Sequence, residues 1–309
     1  MGFLSRCLCA ATVLLLTACA SHPPGDWGIA PGDPLPERAE RQDAPFHPQE
    51  AYQCGPAALA TLLGSAGIQR SPEALRDEVY IPARQGSLQP EIMAAARRAG
   101  AVAYRIAPEP RALLKELAAG HPVLVLQNLR FDWLPQWHYA VAVGYDLSAG
   151  QVFLRSGGEQ RLVMDLADFD RSWAKAKRWA FVALPPDRLP ATANETDYVS
   201  AAVAVERVVP ATAEAAYRTA QKAWPHNLVS RIGLGNAAYR RGDLSAAEAA
   251  FRQAASEHPE SGDAWNNLAQ VLHERGNKAA AREAAERAVA IGGPRLPTYR
   301  KTLESVSGG

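Results

Sequence analysis

The stretch QEAYQCGPAALATLLG, residues 49–64, decides the fold of the first half of this chain. Pro56 suits the first turn of a helix, and Leu59 and Leu63 follow it at helical spacing. Cys54 therefore falls at or just before the helix start, where unpaired N–H groups and the helix dipole favour a thiolate. This position predicts a nucleophile. The alternative is a small, buried packing residue.

The opening of the chain has the pattern of an export signal. Arg6 gives a positive start, and residues 4–18 form an apolar core that is too short for a membrane anchor, since a spanning helix needs about 20 residues. The run Leu-Thr-Ala-Cys that ends at Cys19 resembles the lipobox of bacterial lipoproteins. The resemblance implies that residues 1–18 are removed and Cys19 is acylated. It also implies a tether over residues 19–42 and, with no Asp after Cys19, the periplasmic face of the outer membrane. An ordinary signal peptide is the alternative.

The mature chain would then keep one free thiol, Cys54, which needs a base if it is a nucleophile. His138 begins the run WHYAVAVGYD, residues 137–146, whose composition predicts a buried strand. His47 and His121 have the surroundings of solvated loop residues. The remaining histidines lie in the tether or in the helical second half of the chain. His138 is the candidate base.

Three motifs together resemble a known family. These are CGPAALA from Cys54, GHPVLVL from Gly120, and the strand that contains His138. They resemble the papain-fold cysteine peptidases that process double-glycine leaders of bacteriocins. The resemblance covers residues 43–185 and implies an α+β papain-like domain with Cys54 as nucleophile and His138 as base. It also implies an oxyanion-hole glutamine shortly before the cysteine, which we assign to Gln49, with Gln53 as the alternative.

The third catalytic position departs from the family pattern, which has Asp or Asn on the strand after the histidine. Folding residues 137–145 onto 151–156, with paired positions adding to 294, sets Ser156 opposite His138. Asp146 lies too far along the strand, and Glu159 could reach only past a bulge. Ser156 can hold the imidazole but carries no charge to stabilise an imidazolium. The chain is therefore either a peptidase that uses a Cys-His pair or a scaffold that binds peptide without cleaving it.

The second half of the chain repeats with a 34-residue period after a Pro-rich linker, residues 186–197. Seven positions of the first clear unit recur in the second, and they are Leu234, Gly235, Gly242, Ala247, Phe251, Ala254 and Pro259. This spacing is that of tetratricopeptide repeats. A weaker unit precedes them, which predicts three units over residues 198–305 and a concave face for a protein or peptide partner. Asn236, Asn266 and Asn267 lie on first helices, where a solvated face is the simplest interpretation.

The composition excludes several function classes. Lys plus Arg number 33 against 32 Asp plus Glu, with no basic run, so nucleic acid is not an expected partner. No metal-ligand spacing or phosphate loop occurs in the sequence, so no metal or cofactor is expected. The leading hypothesis is a lipid-anchored thiol peptidase. A non-catalytic peptide-binding scaffold is the second, and amidase or acyl-transfer chemistry on cell-wall peptides is the third.

Overall fold

The computed structural model describes residues 27, 29, 32–48 and 53–308. The strands, in chain order, are β1 Arg38–Glu40, β2 Tyr80–Ile81, β3 Gly86–Ser87, β4 Val102–Arg105, β5 Val123–Asn128, β6 Trp137–Asp146, β7 Gln151–Ser156, β8 Glu159–Asp165 and β9 Ala180–Leu184. The helices are α1 Cys54–Ser65, α2 Pro72–Val79, α3 Gln89–Arg98, α4 Pro110–Ala118, α5 Leu166–Ala174, α6 Glu195–Glu206, α7 Pro210–Ala223, α8 Leu228–Arg240, α9 Leu244–Glu257, α10 Gly262–Glu274, α11 Lys278–Ile291 and α12 Leu296–Ser307. The first half is thus α+β and the second half all helical. None of the helices among these residues has the length and apolar composition that crossing a membrane requires.

The main sheet is antiparallel in the order β4-β9-β5-β6-β7-β8, and β1 also pairs with β6. Alternate residues of β6 enter two different apolar cores. Ala140 and Ala142 pack in a core with residues of α4 and α5, whereas Tyr139 and Val141 pack in a core with residues of α1 and α3. The sheet is therefore covered on both faces, and β6 runs through its middle.

The pairing of β6 with β7 corrects the predicted register. Near the turn, Tyr145 lies opposite Val152, so the numbers of paired residues add to 297. Further along, Val141 lies opposite Arg155, and the numbers add to 296. The predicted sum of 294 is wrong, because the strands stay paired up to Asp146 and Gln151, which leaves a shorter turn than predicted. The strands also shift by one residue between Ala142 and Gly144, an irregularity that the sequence pattern does not reveal.

The predicted tether and linker are more ordered than their composition indicates. Trp27 is buried beside Phe169 of α5, and β1 lies within the predicted tether. In the predicted linker, Glu116 of α4 is fully buried and accepts hydrogen bonds from the backbone N–H groups of Ala191 at 3.0 Å and Thr192 at 2.8 Å. Pro-rich composition predicts extended chain, but it does not report whether that chain is solvated or docked.

His121 contradicts its interpretation as a solvated loop residue. Its side chain is buried, with Nδ1 2.8 Å from an oxygen of Glu116. The turn that contains His121 is therefore part of the packed surface that holds the linker. The exposed-loop prediction failed because the Gly-His-Pro turn folds back on the buried carboxylate of Glu116, five residues earlier, rather than facing water.

The helices after the linker form the pairs α6–α7, α8–α9 and α10–α11, followed by α12. Small residues let these helices approach closely: a Cβ on Gly233 of α8 would lie 2.3 Å from the ring of Tyr217, and one on Gly235 would lie 2.4 Å from that of Phe251. The first pair differs from the others, because Tyr198 of α6 and Tyr217 of α7 are part of the same core as the sheet. The repeats therefore continue directly from the α+β domain.

Candidate active site

Cys54 is the first residue of α1, as the Gly-Pro step after it predicts. Its side chain is partly buried. Burial raises the pKa of the thiol, and backbone hydrogen bonds from Tyr139, Gly55 and Cys54 itself lower it in part. The prediction that the helix start favours a thiolate is therefore wrong, because the loss of hydration raises the pKa of Cys54 by more than the hydrogen bonds lower it.

His138, near the start of β6, is held by Ser156 at the end of β7. Its Nε2 lies 2.8 Å from the Ser156 hydroxyl oxygen. Burial lowers the pKa of the imidazole, so the ring is neutral at neutral pH. When Nε2–H donates to the hydroxyl, Nδ1 is left with the lone pair that can accept a proton from a thiol.

The contact between His138 and Ser156 exists although their predicted register is wrong. Continuing the observed register by one residue beyond Val141 would set Ser156 opposite Ala140, two residues from His138 and on the same face. Diagonal neighbours on one face are within reach of a long side chain. The structure thus brings the two predicted side chains together diagonally rather than as a directly opposed pair.

The Cys54 sulfur contacts the backbone of β6 one residue after His138. The N–H of Tyr139, the residue after His138, hydrogen-bonds to the Cys54 sulfur. The pairing of β6 with β7 ends at Val141, so the first residues of β6 extend beyond it towards the head of α1. Cys54 therefore lies against the backbone of β6 at the end of the sheet where Ser156 holds the His138 ring.

The two acidic alternatives do not replace Ser156 as the observed partner of the imidazole. Asp146 is at the other end of β6, where its carboxylate accepts from the Ser148 hydroxyl at 2.7 Å and the Ala149 N–H at 3.0 Å. Glu159 is exposed on β8, opposite Ser156 across the next turn. Ser156 is the residue whose hydroxyl contacts the ring.

Of the predicted residues Gln49, Gln53 and Cys19, the structure describes Gln53. Gln49 and Cys19 lie outside the described residues, so their roles stay predictions. Gln53 is the residue before α1 and lines a pocket of about 600 Å³ together with Arg76, Asp77, Tyr80 and Pro82. Gln53 thus borders a cavity that it shares with residues 76–82, and neither Cys54 nor His138 lines this cavity.

Sequence reasoning missed the residues behind the nucleophile. A Cβ on Gly55 would lie 2.4 Å from the Ser87 hydroxyl oxygen, so β3 approaches the head of α1 too closely for a larger residue. Tyr139 donates its hydroxyl to the Ser87 carbonyl at 3.1 Å. The Gly after the cysteine was a signal for this close approach, but its partner, more than thirty positions away, could not be read from the sequence.

Arg155 is a second residue that the pattern did not single out. It is buried in β7, where it donates to the carbonyl oxygens of Gln42 at 2.9 Å, Ala44 at 3.3 Å and Gln160 at 2.6 Å. These bonds hold the backbone of residues 42–44, upstream of Cys54, against the strand that carries Ser156. An arginine inside the apolar run QVFLRS was the available signal.

The repeat asparagines are less exposed than the solvated-face interpretation requires. Asn266 is buried, and Asn267 donates its amide to Asn236 of the preceding unit at 3.4 Å. Among the described residues, no group of three or more His, Cys, Asp or Glu side chains is arranged to hold a metal ion.

Comparison with known families agrees with this division of the chain. Residues 41–181 match the Peptidase_C39 like family, and residues 200–252 and 232–295 match the tetratricopeptide repeat family. The chain carries a Peptidase_C39-like domain and tetratricopeptide repeats. One similar solved structure is that of a candidate C39-like peptidase from Bacillus anthracis, with 18% identity and a TM-score of 0.42, covering 48% of this chain and 98% of the other. A comparison with curated proteins gave no match.

The match spans the helices α1 to α5 and the strands β2 to β8, and it ends within β9. The predicted α+β domain followed by a repeat region is confirmed at the level of fold. The matched repeat segments begin within α6, the helix that shares the core of the C39-like domain.

Proposed function

We propose that this protein is a lipid-anchored periplasmic thiol peptidase that hydrolyses peptide bonds through a thioester, and that its repeats recruit the substrate or a partner. The observation that carries the proposal is the cluster at the end of the sheet. The Cys54 sulfur accepts a hydrogen bond from the residue that follows His138, and Ser156 holds the imidazole at 2.8 Å. The similarity of residues 41–181 to C39-like peptidases supports the same chemistry.

In the proposed reaction, Nδ1 of His138 takes the thiol proton as the Cys54 sulfur attacks the carbonyl carbon of the peptide bond. The oxyanion forms at the head of α1, where backbone N–H groups and the amide of Gln49 or Gln53 are the candidate donors. The C–N bond then breaks, and the imidazolium returns its proton to the leaving amine. Water, deprotonated by the same imidazole, hydrolyses the thioester and regenerates the thiol.

The resting state in this proposal is a neutral thiol beside a neutral imidazole. Burial raises the pKa of Cys54 and lowers that of His138, and both shifts oppose the ion pair. Ser156 adds no charge to reverse them. The proton therefore moves as the sulfur attacks rather than before the substrate binds, and His138 acts as a general base on a thiol that is not already ionised.

The proposed location rests on the export pattern of residues 1–18 and the lipobox-like sequence ending at Cys19. An acylated N-terminal cysteine would keep the enzyme on the periplasmic face of the outer membrane. The repeat region supports a role in recruitment, because stacked helix pairs offer an extended surface for a partner protein or peptide.

A peptide with an electrophilic carbonyl tests the catalytic part of the proposal. We expect the native protein to form a covalent adduct on Cys54 that mass spectrometry localises, and we expect His138→Ala to lose 10²–10⁴-fold in the rate, the contribution typical of a general base. Cys54→Ala is the control for labelling elsewhere. Equal rates in the native protein and His138→Ala would refute the assignment of the base.

A peptide-binding scaffold is the second candidate, because a serine stands where the resembled peptidases have an acid or amide and burial keeps the thiol protonated. The two candidates differ in turnover. A scaffold would bind peptides with the same affinity in the native protein and Cys54→Ala and release no cleaved product. A peptidase would release product from the native protein alone.

A further inference from the structure

The turn between β5 and β6 carries a cluster of exposed large apolar side chains. We call residues 129–137 the aromatic tip. Trp133 is 78% exposed, Phe131 62% and Trp137 52%, and two leucines beside them are also exposed, namely Leu129 and Leu134. Burying one such side chain is worth roughly 1.5–3 kcal/mol, so a solvated cluster of this size indicates a binding surface.

The aromatic tip has a defined shape rather than that of a loose loop. Asn128 accepts from the N–H groups of Arg130 at 3.1 Å and Gln136 at 2.9 Å, which closes the base of the turn. Leu134 N–H donates to the Phe131 carbonyl at 3.1 Å, and the rings of Phe131 and Trp133 stack with centroids 5.7 Å apart. The side chains are therefore held outward before any partner binds, which lowers the entropy cost of binding.

The surroundings of the tip favour a lipid surface. Trp133 is the most exposed of the large apolar residues, on a turn that projects beyond the paired strands, whereas a peptide site buries its ligand in a groove. Lys175 donates to the Arg130 carbonyl at 2.6 Å, so two cationic side chains flank the tip against one acidic residue, Asp132. Aromatic residues with a cationic fringe are typical of the interface of a bilayer.

The position of the N-terminal segment makes this contact geometrically accessible. Trp27 packs on Phe169 of α5, and Lys175 follows six positions later, about 9 Å further along the helix axis. Cys19 precedes Trp27 by eight residues, which can span up to about 28 Å. A lipid on Cys19 would therefore enter the bilayer within about 28 Å of Trp27, on the side of the domain that carries the tip.

We infer that the aromatic tip inserts into the interface of an anionic bilayer as a second membrane contact, which rests on the lipid anchor of the proposed function. Trp137 of the tip is followed directly by His138. Insertion of the tip thus brings the mouth of the active site to the membrane surface. The peptidase then acts on chain segments that are presented at the bilayer, such as the tethers of other anchored proteins.

Tryptophan quenching by brominated lipids tests the inference on the full chain. The chain is mixed with phosphatidylcholine–phosphatidylglycerol vesicles, with or without bromine on the acyl chains. We expect the double variant Trp133→Phe, Trp137→Phe to lose most of the bromine-dependent quenching, since these aromatic substitutions keep the tip apolar while removing its reporters. The matched control is Trp224→Phe, Trp265→Phe in the repeat region, which should leave the quenching unchanged.

Mass spectrometry of the N-terminal peptide shows separately whether Cys19 is acylated. Quenching by the tip without an acyl group on Cys19 would support the inference and refute the anchor. An acylated chain whose quenching is the same in native protein and tip variant would refute the inference and leave the proposed location standing. If the tip variant has the same quenching as the native protein but a raised KM for a peptide substrate, the tip is a peptide-binding surface and the inference is overturned.

Discussion

Replacing Ser156 with an acid should convert the neutral catalytic pair towards an ion pair. Ser156→Asp would set a carboxylate beside Nε2 of His138, where the native hydroxyl lies at 2.8 Å. A negative charge there raises the pKa of His138, which burial lowers in the native protein. An imidazolium beside Cys54 in turn favours the thiolate.

The size of the effect follows from the hydrogen bond that changes. A neutral hydrogen bond contributes about 0.5–1.5 kcal/mol and one to a charged group about 1.5–3 kcal/mol, so the charged partner adds about 1 kcal/mol. That difference corresponds to about fivefold in rate. Ser156 is 8% exposed, and the cost of burying a carboxylate there offsets part of the gain. We expect a two- to fivefold faster reaction of Cys54 at neutral pH, by the same hydrogen-bond estimate.

The assay is the rate of alkylation of Cys54 by iodoacetamide as a function of pH, followed by mass spectrometry of the peptide that contains Cys54. Ser156→Asn is the matched control, because it offers a hydrogen-bonding side chain of similar shape without the charge. The acidic variant should react faster than the control and retain its reactivity to lower pH. Coincident pH profiles for the two variants would refute the idea that the missing charge limits the native site.

Three further predictions follow from the described contacts. In the native protein, alkylation of Cys54 should keep accelerating as the pH rises above the ordinary thiol range, because burial raises its pKa; a plateau below that range would contradict this. Gly55→Ala should lower the free energy of unfolding by about 1–3 kcal/mol through the clash with Ser87, with rescue by Ser87→Gly, both measured by urea unfolding. Glu116→Ala should lower the free energy of unfolding by about 3 kcal/mol, because it removes the buried acceptor of two backbone N–H groups of the linker, whereas Glu109→Ala at an exposed position should leave Tm nearly unchanged.

The pairing of His138 with Ser156 shows which part of the site geometry the sequence predicts and which part it does not. If the numbers of paired residues added to 297 along the whole β6–β7 hairpin, as they do near the turn, Ser156 would lie opposite Val141. Its side chain would then be on the face away from His138. The one-residue shift between Ala142 and Gly144 changes the sum to 296 and returns Ser156 to the face of His138. The predicted sum of 294 gave the correct face because it differs from 296 by two, and the side-chain pattern of a strand has a period of two.

The sequence by itself determined the features that depend on near neighbours along the chain. These are the start of α1 at Cys54, the strand that carries His138 and the 34-residue period of the repeats, since helix starts, strand alternation and repeat spacing are local patterns. Only the tertiary structure decided the ionisation of Cys54, the docking of the linker on Glu116 and the approach of Ser87 to Gly55. Each of these depends on burial or contact between residues far apart in sequence, and local composition carries no record of how such segments pack.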